Sequence, residues 1–299
     1  MATVTPVRIV SLIPSATEIA FALGVGDRVV GVTFECDFPP DPRVGRTVVV
    51  GGLDTHGLDA AAIDQAVRDK VAAGELLYTL DADAFRALDP DVVLTQDLCR
   101  VCALPSGQVD EAMDRLGCSA DVVDLDPHTL DDVLATIGVV GAAVGAVTEA
   151  ATLVGLLRQR LADVAVAVAE SAPPRVFVLE WPDPPFVAGH WVPELVEAAG
   201  GQAVLARAGE RSVPTTWDEI AAIDPDVVVV SSCGFDVHGS ADHARAVLAH
   251  LPARAIVWAI DANGLIVRPG PRVIDGVETL AAMLHGVGEL DPERAVRIR

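Results

Sequence analysis

The middle of the chain decides the fold: residues Thr129–Glu170 read TLDDVLATIGVVGAAVGAVTEAATLVGLLRQRLADVAVAVAE. From Val147 onward only Gly155 interrupts a run of good helix formers, chiefly Ala, Leu, Arg, Gln and Glu. The apolar residues recur at three- and four-residue steps, as one face of a helix requires: Val154, Leu157, Leu161, Val164 and Val168. The pattern predicts a helix over Val147–Glu170, about 35 Å long at roughly 1.5 Å per residue, ended by the prolines at 173 and 174.

The two flanks of this helix follow one plan. Arg8–Leu12 returns as Arg175–Leu179, 167 positions later, and Asp83–Leu94 returns as Asp218–Val229, 135 positions later. Because the echoes keep their order, we interpret the flanks as a pseudo-repeat. The first flank then carries 32 extra residues between these landmarks, which we place within residues 41–78.

Short buried strands alternate with helices in both flanks. After the first strand, Ser15 and Glu18 have the spacing of a capping box, which predicts a helix start at Ser15. Val29–Thr33 predicts the second strand, and within the extra residues Val48–Val50 predicts a strand and Asp59–Ala73 a helix.

Alternation of this kind is typical of α/β proteins with parallel sheets. We predict a first lobe in residues 1–127, linking helices in 128–172 and a second lobe in 173–299. The fold class is thus α/β, with two lobes of parallel-rich sheets joined by one long backbone helix. Ligands of such sheets bind beyond the carboxyl ends of the strands. We therefore expect loops of both lobes to face one cleft, with the rigid helix limiting closure to a small hinge motion.

Composition excludes several classes of protein. Apolar residues make up 51% and charged residues 21%, as in a globular chain, and the net charge of −22 leaves Lys70 as the only lysine. Such acidity repels phosphate backbones, which excludes nucleic acid as a partner. No apolar run reaches the roughly 18 residues of a membrane span, so we expect no membrane insertion.

The N-terminal residues and the cysteines bear on the compartment. The first residues lack the basic and apolar regions of an export signal, and the five cysteines are scattered like reduced thiols. We expect a cytoplasmic monomer, or a periplasmic or cell-surface protein if a leader was removed.

The loop Glu180–Trp191 reads EWPDPPFVAGHW, although only 4% of the chain is aromatic. Proline-stiffened aromatic loops suit a large, flat, partly apolar ligand, because little entropy is lost on binding. We predict ligand contacts from Trp181 and Trp191; the alternative is that these two side chains fill the interface between the lobes.

Cys99 and Cys102 form a CxxC pair with three interpretations. A redox pair needs a helix N-terminus, and the proline and glycine that follow place the next helix start later. A zinc site needs four ligands, and Cys36, Cys233 and His190 lie in loops that could converge. Partly buried structural thiols, the commonest fate of cysteine, are the third interpretation.

The loop Arg268-Pro-Gly-Pro-Arg272 presents two guanidinium groups that suit carboxylates, phosphates or amide oxygens; the alternative is a pair of surface salt bridges. Ser231–Asp236 lies at a strand end, where Gly234 allows a ligand to approach closely. We interpret the histidines without motif spacing as ordinary polar residues: His56, His128, His243, His250 and His285.

The chain contains no Walker A loop, GxSxG or HExxH motif, and no GxGxxG follows a strand. Nothing assembles a nucleophile, a base and an oxyanion hole. We therefore predict that the protein is not an enzyme.

Several segments together carry a family resemblance: RIVSLIPSATEIAFALG, VGVTFECDFPP, LDPDVVLTQ, the central helix, DPPFVAGHWVPELVEAAGG, DEIAAIDPDVVVV and RPGPR. In this order and spacing the chain, from Arg8 to about His285, resembles the cobalamin-binding proteins of vitamin B12 ABC importers. These are class III substrate-binding proteins, with two lobes joined by one long helix. The resemblance implies a corrinoid held between the lobes and an ABC permease as partner.

The resemblance also implies site residues. Acidic residues on each lobe pair with arginines of the permease, which points to Asp218 or Glu219 in the second lobe and to their repeat partner Asp83 in the first. The ligand contacts that it implies are Glu35, Gln96, Asp97, Phe186 and Arg268.

We therefore predict a non-catalytic protein that binds cobalamin or another corrinoid, either for an importer or as a cytosolic relative. His190 is in addition a candidate axial ligand of cobalt, since imidazole is a competent one. The alternatives are a protein that binds haem, an iron–siderophore or a metal ion such as zinc, and a thiol-dependent corrinoid-handling enzyme that acts through Cys99, Cys102 or Cys233. The full set of ligand-binding candidates is Glu35, Gln96, Asp97, Glu180, Trp181, Phe186, His190, Trp191, Cys233, Phe235, Arg268 and Arg272.

Overall fold

The computed structural model describes residues 6–53, 55, 57–96, 107 and 119–299. The chain divides into two compact units. Unit 1 consists of Met1–Gly57, Gln65–Asp126 and Leu134–Gly155, and unit 2 consists of Leu58–Asp64, Pro127–Val133 and Leu156–Arg299.

Unit 1 contains a six-stranded sheet in the order β4-β3-β2-β1-β5-β6. All neighbours are parallel except β4, which runs antiparallel to β3. Its core lies where Val10, Val49 and Val93 of the sheet pack with the buried Phe85. The strands are β1 (Ile9–Ser11), β2 (Val29–Thr33), β3 (Thr47–Gly52), β4 (Tyr78–Leu80), β5 (Val92–Thr95) and β6 (Asp121–Asp124). In the first half of the chain, the described residues form helices α1 (Pro14–Ala22), α2 (Ala60–Ala72) and α3 (Ala82–Ala87), together with a 3₁₀ turn (Gly26–Arg28).

Unit 2 contains a seven-stranded sheet in the order β10-β8-β7-β11-β12-β13, with β9 beside β7. Its centre, β7-β11-β12, is parallel, and the outer strands β8, β10 and β13 pair antiparallel. The strands are β7 (Arg175–Pro182), β8 (Pro185–Val187), β9 (Gln202–Ala203), β10 (Val213–Pro214), β11 (Val227–Val230), β12 (Ile256–Ile260) and β13 (Ala295–Arg297). Two parallel-rich sheets with flanking helices confirm the predicted α/β class.

The quoted central stretch forms two helices, α4 (Leu130–Ala143) and α5 (Val147–Val168). Between them Gly145 adopts a φ of +73°, which a side chain would disfavour. The predicted apolar face is confirmed, because Leu157, Val164 and Val168 are buried. Although α5 has 22 residues, none of the helices in the described part of the chain is long and apolar enough to cross a membrane. The remaining helices are α6 (Val192–Ala198), α7 (Trp217–Ile223), α8 (Val237–Val247), α9 (Ala262–Leu265) and α10 (Val273–His285).

The pseudo-repeat is confirmed at the level of single hydrogen bonds. In unit 1 the backbone N–H of Arg8 donates to Asp91 Oδ2 at 2.7 Å, and in unit 2 the backbone N–H of Arg175 donates to Asp226 Oδ2 at 2.9 Å. In each unit the equivalent aspartate therefore joins the start of the unit's first parallel strand to the start of the neighbouring strand.

The predicted capping box at Ser15 is wrong. Helix α1 begins one residue earlier, at Pro14, and its N-cap Ile13 receives no side-chain hydrogen bond. Proline at the first helical position already has the φ that a helix needs, so Ser15 lies inside the first turn and is buried together with Glu18.

Candidate ligand-binding site

The central strands of unit 2 end at one edge of the sheet. Val230 of β11 lies opposite Leu179 of β7 on one side and Ala259 of β12 on the other. Because the three strands are parallel and in step, the loops that follow them emerge side by side. This edge carries several candidate residues: Trp181 near the end of β7, and Cys233 and Phe235 directly after β11.

Three ring side chains form an aromatic cluster at this edge: Trp181, Phe235 and His243. The centroid of the Trp181 ring lies 6.0 Å from that of Phe235 and 5.8 Å from that of His243, and the Phe235 and His243 centroids are 4.6 Å apart. The indole N–H of Trp181 donates to the carbonyl of Asp183 at 3.0 Å. All three rings are only partly buried, so the cluster exposes aromatic surface to a ligand. Within it, the hydrogen bond to Asp183 holds the ring of Trp181 in place.

Sequence reasoning missed His243. The ring is brought to the edge by α8, whose first turns follow β11, and its Nδ1 lies 2.9 Å from Ser232 Oγ. The signal was helical spacing, because His243 stands three residues after Ser240 and four before Val247, both of which are buried. Burial lowers the pKa of the imidazole, against the opposing charge of Asp242, and so favours the neutral ring.

The lowered pKa of His243 predicts a loss of stability in acid. In the unfolded chain the imidazole binds a proton near pH 6.5, whereas in the folded chain it binds one only at lower pH. The contribution of the neutral ring to folding stability is therefore fully present above about pH 6.5 and is lost as the pH falls through the folded pKa. Solvent screens a half-buried ring; we therefore expect His243→Gln to reduce the fall in melting temperature between pH 7.5 and 5 by only about 1–2 °C. Thermal melts across this range measure it.

The matched control is His238→Gln, on the exposed side of the first turn of α8, where the imidazole is 74% exposed. This variant should keep the wild-type pH profile. Identical profiles for His243→Gln and the wild type would contradict the assignment.

Four charged side chains form a second group, the charged cluster: Asp236, Asp261, Arg268 and Arg272. Asp261 is the N-cap of α9, and its Oδ1 accepts from the N–H of Gly264 at 3.0 Å. Burial raises the pKa of Asp261, while the Gly264 hydrogen bond and the charges of Arg272 and Arg268 oppose the rise and the charge of Asp236 adds to it. Asp236, Arg268 and Arg272 thus all act on the carboxylate of Asp261.

Other predicted residues lie beside the aromatic cluster. Glu180 accepts a hydrogen bond from Ser212 Oγ at 2.8 Å through its carboxylate, and its carbonyl accepts from the N–H of Cys233 at 3.1 Å. Phe186 of β8 lies directly opposite Trp181 of β7 in the antiparallel ladder. The structure therefore brings Glu180, Phe186 and Cys233 to the same edge as Trp181.

His190 and Trp191 occupy a different environment. Trp191 is only 4% exposed, and its indole N–H donates to the carbonyl of Ile266 at 2.8 Å; this leaves it little surface for a ligand. His190 has a φ of +52°, and its ring centroid lies 5.7 Å from Trp191 and 6.2 Å from His128.

In unit 1 the described candidates follow β2 and β5. Glu35 accepts from the hydroxyl of Tyr78 at 3.3 Å, and Gln96 is 7% exposed directly after β5. Asp97, Cys99 and Cys102 lie outside the described residues.

Across the described ranges no three His, Cys, Asp or Glu side chains gather as metal ligands. The zinc interpretation also involves Cys99 and Cys102, which lie outside those ranges. The thiol of Cys36 lies in the buried interior of unit 1, where its Sγ is 3.1 Å from the hydroxyl of Thr17.

The docking candidates differ in what their carboxylates already do. Asp83 is exposed in the first turn of α3, and Asp218 is exposed in the first turn of α7. Glu219 completes a capping box with Thr216, and its Oε2 accepts from Thr215 Oγ1 at 2.9 Å and from the Thr216 N–H at 3.0 Å. These hydrogen bonds, the Thr215 hydroxyl first, lower the pKa of Glu219.

Comparison with known sequences identifies similar proteins along nearly the whole chain. A family model described as "Periplasmic binding protein" matches residues 9–262. The "Vitamin B12-binding protein" of Vibrio cholerae is 27% identical over 284 residues, 93% of this chain and 88% of that protein. The "Cobalamin-binding protein" of Halobacterium salinarum is 29% identical over 292 residues, 94% and 70%. The "Uncharacterized ABC transporter substrate-binding lipoprotein YvrC" of Bacillus subtilis is 28% identical over 291 residues, 94% and 80%.

Solved structures share the fold. The periplasmic vitamin B12 binding protein BtuF of Vibrio cholerae superposes with a TM-score of 0.67 at 24% identity, covering 93% of this chain and 96% of that one. The periplasmic heme-binding protein RhuT from Roseiflexus sp. RS-1 in apo form superposes with a TM-score of 0.68 at 24% identity, covering 94% and 99%. One fold thus accommodates proteins named for two different macrocycles.

Proposed function

This chain belongs to the periplasmic binding protein family, and we propose that it is the substrate-binding protein of an ABC importer and that its ligand is a corrinoid, cobalamin first. The proposal is supported by relatives named for vitamin B12 or cobalamin and by one named as an ABC transporter substrate-binding lipoprotein. The family consists of binding proteins, so the role is to hold and release the ligand without chemistry.

The observation that carries the proposal is the aromatic cluster of Trp181, Phe235 and His243 beside the charged cluster at one sheet edge. A corrin is a broad, largely apolar macrocycle with polar amides along its rim. Aromatic faces suit the ring, because apolar contact with rigid side chains costs little entropy. The guanidinium and carboxylate groups beside them suit hydrogen bonding to the amides.

Haem is the second candidate, because RhuT, named as a heme-binding protein, has the same fold over almost its whole length. Haem is also flat and apolar, but its rim carries two carboxylates.

Titration of the purified protein with cyanocobalamin and aquocobalamin tests the function. We expect one-to-one binding with micromolar or tighter affinity, measured by calorimetry and by the visible spectrum, and weaker binding of hemin. Tight one-to-one binding of hemin with no heat from either corrinoid would replace the corrinoid by haem.

The same titration tests His190 as an axial cobalt ligand. His190→Asn suits this test, since asparagine tolerates the positive φ of His190. The variant should lose any spectral shift seen with aquocobalamin, whose water is replaceable, and keep the affinity for cyanocobalamin. An unchanged aquocobalamin spectrum and affinity would rule out coordination by His190.

For docking on an importer we propose Asp218 in unit 2 and Asp83 in unit 1. Glu219 is the weaker candidate, because its carboxylate already caps α7. Exchange of Asp218 and Asp83 for asparagine in a reconstituted transport assay tests the assignment, with ligand affinity unchanged and uptake reduced as the expected result.

A further inference from the structure

The charged cluster continues directly from the aromatic cluster. Asp236 follows Phe235 in sequence and caps α8, which carries His243. The N–H of Asn263, two residues after Asp261, donates to the carbonyl of Phe235 at 3.2 Å. This bond ties the loop after β12 to the loop after β11, so aromatic surface and charged groups belong to one edge.

Within the charged cluster, two guanidinium groups are accompanied by two carboxylates. A Cβ on Gly264 would collide with Asp261 Oδ2 and would stand 2.8 Å from Arg272 Nη1, so both side chains lie against the same glycine. Arg268 also acts on Asp261, and Asp236 adds the second negative charge. The positive charges of Arg268 and Arg272 are therefore balanced by carboxylates of the protein itself.

This balance favours one kind of ligand rim. A carboxamide can accept from a guanidinium through its carbonyl and donate to a carboxylate through its N–H, and it carries no net charge. A ligand carboxylate can use only the guanidinium groups, and it is repelled by the two aspartates. A built-in repulsive group is a common source of specificity.

Resting on the proposed function, we propose that Asp261, supported by Asp236, is a specificity-determining residue that makes this edge select a macrocycle with an amide rim over one with a carboxylate rim. The ligand class is thus an amidated tetrapyrrole-like chelate, and the excluded class is a dicarboxylate porphyrin.

The test is the ratio of the hemin and cyanocobalamin dissociation constants in Asp261→Asn. Asparagine caps a helix about as well as aspartate, so the hydrogen bond from Gly264 is kept while the charge is removed. We expect hemin to bind more tightly relative to cyanocobalamin by about tenfold, close to the water-screened limit for two like charges a few ångströms apart. Hemin dimethyl ester, which has the same ring without the carboxylates, should not gain affinity.

Asp224→Asn is the matched control, because it removes one negative charge from just before the start of β11, at the other end of the strand from the site, where Asp224 Oδ1 accepts from Arg254 Nε at 2.6 Å. It should leave the ratio unchanged. Asp236→Asn is a second variant that should shift the ratio in the same direction as Asp261→Asn, and circular dichroism verifies that each variant is folded.

The outcomes separate the two proposals. A wild-type protein that binds cyanocobalamin, with the same ratio in both cluster variants and in the Asp224→Asn control, overturns the specificity role alone. A wild-type protein that binds neither cyanocobalamin nor hemin overturns the proposed function and this inference together.

Discussion

Trp181→Ala should weaken corrinoid binding about 30-fold or more, the loss typical of a central aromatic contact. Trp181 is the largest ring of the aromatic cluster and touches both other members. Its indole N–H is held by Asp183, so the ring is ordered before a ligand arrives and binding it costs little entropy. Calorimetric titration with cyanocobalamin measures the effect, and Trp181→Phe, which keeps an aromatic face, should recover most of the affinity.

Trp217→Ala is the matched control in the same unit. Trp217 is also partly buried, and it stacks on His250 with centroids 5.1 Å apart and an interplanar angle of 18°. We expect this variant to lose stability, because Trp217 packs against the core of unit 2, but to keep its affinity within about twofold. Equal affinity losses in the two alanine variants would show that Trp181 acts through general stability rather than through contact with the ligand.

Arg160→Met should lower the free energy of unfolding by about 2 kcal/mol, the range for a partly buried charge left without its partner. Arg160 of α5 donates to Glu278 Oε1 through Nε at 2.8 Å and to Glu278 Oε2 through Nη2 at 2.6 Å, and Nη2 also bonds Asp275. Its side chain is 29% exposed. The two carboxylates, chiefly through the Glu278 hydrogen bonds, raise the pKa of Arg160 further, and without it they would repel each other. Methionine keeps the apolar stem, so the loss reports the charge.

Denaturant unfolding followed by circular dichroism measures this loss. Arg158→Met is the control two residues away on the same helix, where the side chain is 62% exposed and its guanidinium lies 3.6 Å from Asp131. An exposed pair of this kind contributes about 0–1 kcal/mol. Adding Glu278→Gln to Arg160→Met should recover part of the stability. Losses of the same size for Arg158→Met and Arg160→Met would contradict the role of the α5–α10 contact.

This contact also bears on the site. Helix α10 begins at Val273, directly after Arg272 of the charged cluster. Arg160 therefore connects α5 to α10, the helix that follows the loop Arg268–Arg272. We expect a weaker contact between the two helices to change the position of Arg272 as well.

Much of the fold follows from the sequence because its signals are local. The apolar spacing of α5 predicted its position to within two residues at its C-terminal end, since one face of a helix must be buried wherever the helix packs. The repeated Asp-Pro-Asp segments predicted equivalent strands, and Asp91 and Asp226 make equivalent hydrogen bonds. The misplaced capping box at Ser15 is the exception, because two cap signals overlapped and Pro14 prevailed.

The site was only partly predictable. Trp181 and Phe235 could be chosen because they lie at, or directly after, the carboxyl ends of neighbouring parallel strands, and Phe186 pairs with Trp181 on the adjacent strand. The burial of Trp191 could not, since its hydrogen bond joins residues 75 positions apart. The spacing of Thr216 and Glu219, three residues apart, predicts that Glu219 takes part in a capping box. The docking prediction followed the repeat and did not take this spacing into account.

What the sequence alone determined is the α/β alternation, the long helix and the two equivalent halves, because periodicity and turn residues act within a few positions of one another. What only the tertiary structure decided is which side chains meet. His243 joins Trp181 from 62 positions away, and Asp261 balances arginines on a separate loop. Such contacts depend on strand order and register, which bring distant residues to one edge through many weak interactions that no local pattern encodes.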